Sequence, residues 1–331
     1  MNEFKYLRAT DESNAATQLS KESKAKFLGG GTNLIDLIKE NIEKPSALVD
    51  VSRLALKEIK KTSSGGVSIG ATAKNSDTAN HFLIRENYPL LSQAILSGAS
   101  AQIRNMATNG GNLLQRTRCL YFYDTAMRCN KRAPGTGCDA HGGLNQFSAV
   151  LGWNEKCVAT HPSDMSVALA ALDAVVNVKS KDGKTRAIQF ADFHRLPENT
   201  PEKDNNLNEG ELITSIEIPK SNFAKNSYYL KVRDRTSYAF ALVSVAAALE
   251  MNGKTIKQAR IALGGVAHKP WRALEAEKIL VNAKANDATF QRAAEAALKD
   301  ARALEHNAYK ITLAKRAIVR ALKKAFDGGI A

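Results

Sequence analysis

Short apolar runs separated by turn residues organise the first half of this chain. Ala25-Lys26-Phe27-Leu28 reads as a strand, Gly29-Gly30-Gly31-Thr32 as a turn, and Asn33 to Asn41 as a helix. Ala47-Leu48-Val49-Asp50-Val51 is a second strand, and Val67-Ser68-Ile69-Gly70-Ala71 a third after a Ser-Ser-Gly-Gly turn. Strand, turn, helix and strand in this order predict an α/β unit with parallel pairing. Residues 89–104 then read as one helix, running into Thr108-Asn109-Gly110-Gly111-Asn112.

Residues 116–157 break the pattern and predict an irregular loop with little helix. A loop of that length inside a compact domain is usually functional. Residues 166–173 resume as an apolar helix or strand. Val175-Val176-Asn177-Val178 is a strand, and Lys181-Asp182-Gly183-Lys184 a hairpin turn. Residues 197–210 are polar and loop-like, and Leu212 to Ile218 alternate as a strand. Strands are expected at 227–232 and 256–263, with 239–250 between them. Residues 271–327, rich in Ala, Lys, Leu and Glu, read as helices.

Composition narrows the class. At 331 residues the chain can bury a large core. No apolar run approaches the ~20 residues that span a bilayer. Met1-Asn2-Glu3-Phe4-Lys5 lacks the form of a secretory signal, so folding in the cytoplasm is expected, with export dependent on a partner's signal. The net charge of +14 is spread along the sequence. It suits a basic face that docks an acidic subunit better than a nucleic-acid module, of which no motif is recognisable.

The cysteines change the picture most. All four, Cys119, Cys129, Cys138 and Cys157, lie in the irregular segment. Low cysteine usage and cytoplasmic folding argue against disulfides. The gaps of nine, eight and eighteen residues contain no C-x-x-C knuckle of the kind structural zinc sites prefer. An iron–sulfur cluster tolerates such spacing when loops supply the ligands. Arg118, Arg128, Lys131 and Arg132 would offset its charge, or form a solvated face. His141 and His161 lie nearby and read better as structural or surface groups than as ligands or proton carriers.

Two glycine turns are phosphate-loop candidates. Glycines let backbone N–H groups approach a pyrophosphate, and the helix N-terminus that follows favours anions. The first turn is not G-x-G-x-x-G, which argues against a classical nicotinamide fold, and neither has a P-loop lysine. Two such loops can hold one dinucleotide between them. Asp164 reads as a helix cap or as an acceptor for a ribityl or ribose hydroxyl. No Ser-His-Asp set or carboxylate pair for hydrolysis is evident.

Taken together, Phe27 to Leu34, Ala107 to Asn112, Ser163-Asp164, Leu212 to Pro219 and Lys231-Val232-Arg233 resemble the FAD-binding subunits of molybdenum hydroxylases, the xanthine dehydrogenase and carbon monoxide dehydrogenase medium-subunit family. Most members run directly from the Gly-Gly-Asn loop to the Ser-Asp pair. Here an insertion over 116–158, with Thr117 to Asp124 and Cys129-Asn130-Lys131-Arg132, is similar to the flavin subunits of bacterial periplasmic aldehyde oxidoreductases. Those subunits bind a 4Fe–4S cluster beside FAD, as does the related subunit of 4-hydroxybenzoyl-CoA reductase.

The resemblance implies an α/β (α+β) fold of the vanillyl-alcohol oxidase (PCMH) type with two subdomains over residues 1–222. It implies a C-terminal antiparallel sheet and helix domain over 223–331, of the CO dehydrogenase flavoprotein type. It implies that Phe27, Leu28, Gly29, Gly30, Gly31, Thr32, Asn33 and Leu34 wrap the FAD pyrophosphate, opposite Thr108, Gly111 and Asn112. Asp164 would hold an FAD hydroxyl, Ile213 pack by the flavin, and Lys231 lie near the isoalloxazine ring. Gly98 or Ala99 falls where the family has an aromatic residue, and that position is left open.

The four cysteines would ligate the 4Fe–4S cluster. The implied partners are a molybdenum-cofactor large subunit, a 2Fe–2S small subunit and an external electron acceptor. The chain would then carry no substrate oxidation of its own. Other readings are the flavin subunit of a xanthine dehydrogenase or hydroxybenzoyl-CoA reductase type, a stand-alone flavin oxidase, and a zinc-stapled nucleic-acid binder.

Overall fold

The computed structural model describes residues 2–329. Its first sheet contains β1 (Lys5–Arg8), β2 (Lys26–Leu28) and β3 (Ala47–Asp50), all parallel, in the order β1-β3-β2. The helices Glu12–Lys21 and Leu34–Lys39 supply the crossovers that parallel pairing requires. Central β3 is buried along its whole length.

The second sheet holds β4 (Ile59–Lys61), β5 (Val67–Gly70), β6 (Val175–Lys179), β7 (Thr185–Gln189) and β8 (Leu212–Ile218), in the order β4-β5-β8-β6-β7. Every pair in it is antiparallel. The third strand expected from sequence is β5, and it belongs here, not to the parallel unit. No helix separates it from β4. Instead Thr62 N donates to Gly66 O at 3.0 Å and closes a hairpin, which forces the antiparallel sense.

The helix expected over 89–104 is two helices, Pro89–Ser97 and Ala101–Met106. The break falls at Gly98-Ala99, where Ala99 takes φ +50 and Ser100 caps the second helix by accepting from Ile103 N. As expected, residues 116–157 are irregular apart from one turn of helix, Leu120–Tyr123.

The third sheet is antiparallel, with β9 (Ser227–Val232), β10 (Val243–Asn252), β11 (Thr255–Gly264) and β12 (Trp271–Arg272) in the order β12-β11-β10-β9. Its two faces bury different cores. Ala246 and Ala248 of β10 and Ala262 of β11 join the core of the second sheet. Val243, Val245, Ala247 and Leu249 face the helices Leu274–Leu280, Asp287–Ala297 and Tyr309–Phe326. The period of two along a strand makes this division, and alanines on one face let the helix Asp164–Ala171 pack close. That helix packs on the third sheet and against the helix Pro89–Ser97, within the core shared with the second sheet, and it begins at the candidate site.

Candidate functional site

The two glycine turns are in contact. A Cβ on Gly29 would stand 2.6 Å from Thr108 Oγ1, and one on Gly30 would fall on the Met106 carbonyl oxygen. Gly31 takes φ +75, a backbone conformation that other residues rarely adopt. Thr108 caps the helix Asn109–Leu113 by accepting from Gly111 N at 3.2 Å. The absence of side chains at Gly29 and Gly30 is thus what allows the loops to meet.

An amide network fixes the second loop. Asn112 Nδ2 donates to Asn75 Oδ1 at 2.8 Å, and Asn75 Nδ2 to Asn109 Oδ1 at 2.9 Å. Ser163 Oγ donates to Asn112 Oδ1 at 2.6 Å and accepts from Ser166 N, capping the helix Asp164–Ala171. The cap is Ser163, which leaves the neighbouring carboxylate for another task.

Asp164 accepts from Tyr229 OH at 2.7 Å and from Lys231 Nζ at 2.8 Å. Lys231 also donates to Ser97 O at 3.1 Å. Both charged side chains are nearly buried. Burial, then the Asp164 charge, push the Tyr229 hydroxyl well above its ordinary pKa. Gly98 is tight here as well, since a Cβ would lie 3.2 Å from Asp164 Oδ2. An aromatic residue at that position would collide with the ion pair as it stands.

Thr32, Asn33, Gly111, Asn112, Asp164 and Lys231 help to wall a hollow of about 450 Å³, whereas Gly29, Gly30, Gly31 and Thr108 line neither this hollow nor the next. A second hollow of about 290 Å³ continues from it and shares Arg118, Pro162, Asp164, Ala239 and Phe240. Its wall is mainly apolar, with Leu120, Tyr121, Leu144, Phe147 and Leu242. Sequence reasoning did not find Arg235, Tyr238 and Phe240 at this site. Their signal was the pair of aromatics in the polar loop between β9 and β10. Arg118, read only as charge compensation, stacks over the Phe240 ring at 5.0 Å. Burial pushes its guanidinium pKa down.

Not every expected residue reaches the hollow. Phe27 packs beside the small core of the first sheet. Leu28 lies in β2, and Leu34 opens the helix that follows the turn. Ile213 lies in β8 within the core of the second sheet and lines neither hollow. A bulge in β8 at Thr214, opposite Asn177 and Val178, breaks the period of two and puts Ile213 on the same face as Ile216 and Ile218.

All four cysteines line one small hollow, together with Tyr121, Phe122, Lys131, Val158 and others. Cys129 and Cys138 face each other across a single antiparallel bridge, and a tight turn from Asn154 presents Cys157. None is in a disulfide. Burial pushes the Cys119 thiol to about 11 and the Cys157 thiol to about 12. Thiols so hard to ionise become ligands when a cationic centre draws off the protons. Among the described residues no three His, Cys, Asp or Glu are gathered tightly enough for a single metal ion. Cys119, Tyr121 and Ala159 line both this hollow and the apolar one. His141 lies outside it, edge-on to Trp153 at 5.4 Å.

Residues 2–221 match the FAD binding domain in molybdopterin dehydrogenase, and residues 228–325 the CO dehydrogenase flavoprotein C-terminal domain. The chain belongs to the molybdopterin dehydrogenase flavoproteins. It is 47% identical to the aldehyde oxidoreductase FAD-binding subunit PaoB of Escherichia coli, over 98% of this chain and 99% of that protein. It is 31% identical to the glyceraldehyde dehydrogenase medium chain of Sulfolobus acidocaldarius, over 86% of this chain and 83% of that one. The flavoprotein fold is the one in carbon monoxide dehydrogenase from Oligotropha carboxidovorans, with TM-score 0.78, 23% identity and 99% of both chains covered.

The fold is thus the PCMH-type FAD-binding fold with a C-terminal antiparallel sheet, and the chain is an oxidoreductase subunit. The first hollow fits FAD on its own chemistry. The buried Nδ2 of Asn33 has no protein partner, while its Oδ1 accepts from Arg116 N at 2.9 Å. A buried amide N–H at the mouth of a glycine cradle suits a phosphate oxygen.

Proposed function

We propose that this chain is the FAD-binding, 4Fe–4S-containing electron-transfer subunit of a molybdenum-dependent aldehyde oxidoreductase. The observation that carries the reading is that the four-cysteine hollow and the apolar hollow share Cys119. A cofactor in each would be separated by little more than that side chain. Its support in sequence is the 47% identity to an aldehyde oxidoreductase FAD-binding subunit along nearly the whole chain.

FAD, when bound, supplies the ability to take up and release electrons in pairs or singly. The residues of this chain hold and shield it. The Gly29–Gly31 turn and the Thr108–Asn112 helix start present N–H groups to the pyrophosphate. Asp164 remains an acceptor on the wall, anchored by Lys231 and Tyr229. Leu120, Phe147, Phe240 and Leu242 give the second hollow its apolar wall. Cys119, Cys129, Cys138 and Cys157 would hold the cluster, a polynuclear centre whose sulfur ligands stand farther apart than those of one zinc ion.

In this reading a large molybdenum-cofactor subunit oxidises the aldehyde, a 2Fe–2S subunit conveys the electrons, and the three chains form a heterotrimer. An external acceptor takes the electrons from this one. Anaerobic addition of an aromatic or aliphatic aldehyde tests the assignment. Flavin absorption should bleach in the assembled complex and stay unchanged in the isolated chain. Bleaching of the isolated chain would instead make it a stand-alone oxidase.

A further inference from the structure

Three histidines meet behind the second hollow, brought there by separate segments. His161 follows the last cysteine, His194 follows the short helix Phe190–Phe193, and His268 belongs to the loop after β11. His161 and His194 have ring centroids 4.3 Å apart. His161 N donates at 2.9 Å to the carbonyl oxygen of Ala267, the residue before His268, and a charge on any one of the three rings would oppose a charge on its neighbours. His194 and His268 are almost wholly buried.

Their hydrogen bonds fix where each proton sits. His194 Nε2 lies 2.9 Å from Leu113 O, and His268 Nδ1 lies 2.9 Å from Arg195 O. A carbonyl only accepts, so both nitrogens are N–H donors. His161 Nδ1 lies 3.2 Å from Ser163 N, which only donates, so this nitrogen is the acceptor and the proton is on Nε2. Burial pushes all three imidazoles below their ordinary pKa and keeps them neutral. Asp204 pulls the other way, but it is held by Lys131 and Arg116.

The remaining ring nitrogens, His161 Nε2, His194 Nδ1 and His268 Nε2, are buried and have no protein partner. They amount to one N–H donor and two lone pairs. A water molecule has two O–H donors and accepts readily, which is the complementary set. A metal ion does not suit the same atoms, because His161 Nε2 bears its proton.

We propose that His161, His194 and His268 together bind one internal water molecule. This water ties the segment carrying Cys157 and Asp164 to the C-terminal domain and to the end of the Asn109–Leu113 helix. It is a positioning site behind the apolar hollow, which His161 lines, and its existence does not depend on the function proposed above.

A crystal structure of the unaltered protein that resolves ordered solvent tests the site. One solvent peak within about 3 Å of all three nitrogens is expected, without anomalous signal at the zinc or iron edges. No peak, or an anomalous scatterer, overturns the proposal. In solution, ¹⁵N-histidine spectra at neutral pH should show the proton on Nε2 of His161 and His194 and on Nδ1 of His268. A proton on His161 Nδ1 also overturns it. The tying role is read by hydrogen exchange in His268→Phe. Amides across 157–164 should exchange at least tenfold faster, with rates in β3 unchanged. Unaltered exchange across 157–164 would refute that role, and these readouts need no bound flavin.

Discussion

Lys231 Nζ donates to Asp164 Oδ2 at 2.8 Å, and the two groups are almost shut off from solvent. One lies on β9 of the C-terminal domain, the other opens a helix of the FAD-binding domain. The bond therefore joins the domains at the wall of the flavin hollow. Lys231→Met leaves a buried carboxylate without its counter-charge and should cost about 3–5 kcal/mol. The double variant Lys231→Met, Asp164→Leu should recover much of that loss. Denaturant unfolding of the unaltered protein and the two variants checks this, and a double variant as unstable as the single one would count against it.

FAD retention probes the cradle. Asn112→Ala removes an amide that binds Asn75, Gln115 and Ser163, and Asp164→Ala removes the acceptor on the wall. Each should lower the flavin to protein ratio after gel filtration. Stoichiometric FAD in both variants would show that the pocket lies elsewhere.

Gly30→Ala places a methyl group on the Met106 carbonyl and forces the two loops apart. A cost of about 1–3 kcal/mol is expected, with loss of flavin. Gly142→Ala is the matched control, because nothing lies within 4 Å of its added carbon. Thermal denaturation with and without added FAD separates the two variants.

Cys129→Ser should abolish cluster binding and loosen residues 116–158, since a bound centre contributes directly to folding of the segment that ligates it. Limited proteolysis and iron content report the two effects. Full iron after the substitution would remove Cys129 from the ligand set.

Acid should unfold the protein through its buried imidazoles. His194 is pushed down to about 4 and His268 to about 3, chiefly by burial. Between those values and the unfolded value near 6.5, the unfolded chain binds protons that the folded chain does not. Stability therefore falls as pH drops from 6.5 towards 4, by about 1.4 kcal/mol per pH unit for each group. His194→Gln should flatten that slope, as measured by denaturant midpoints at pH 4.5, 5.5 and 6.5.

The parts that were legible in the sequence are those with local causes. The strand and glycine turn at 25–32 follow from periodicity and turn chemistry, whereas the segment from 166 suits helix or strand alike in sequence, and its cap is Ser163, not Asp164. The irregular cysteine segment announced itself by composition. What was missed depends on distant contacts. The sense and sheet of β5 were not read, because both are set by pairing with β4 and β8. The helix over 89–104 hid its break, because Ala99 has no sequence mark of a left-handed residue. Ile213 was expected beside the flavin, yet a bulge at Thr214, set by pairing with β6, turns it into the core. The stacking of Arg118 on Phe240 joins residues far apart in sequence, and no local pattern announces it.

The most direct test is an absorption spectrum of the anaerobically purified chain, with iron, labile sulfide, zinc and flavin quantified on the same sample. Flavin bands with about four irons and four sulfides per chain are the expected result. Flavin without iron would contradict the cluster assignment, and zinc without flavin would contradict the account as a whole.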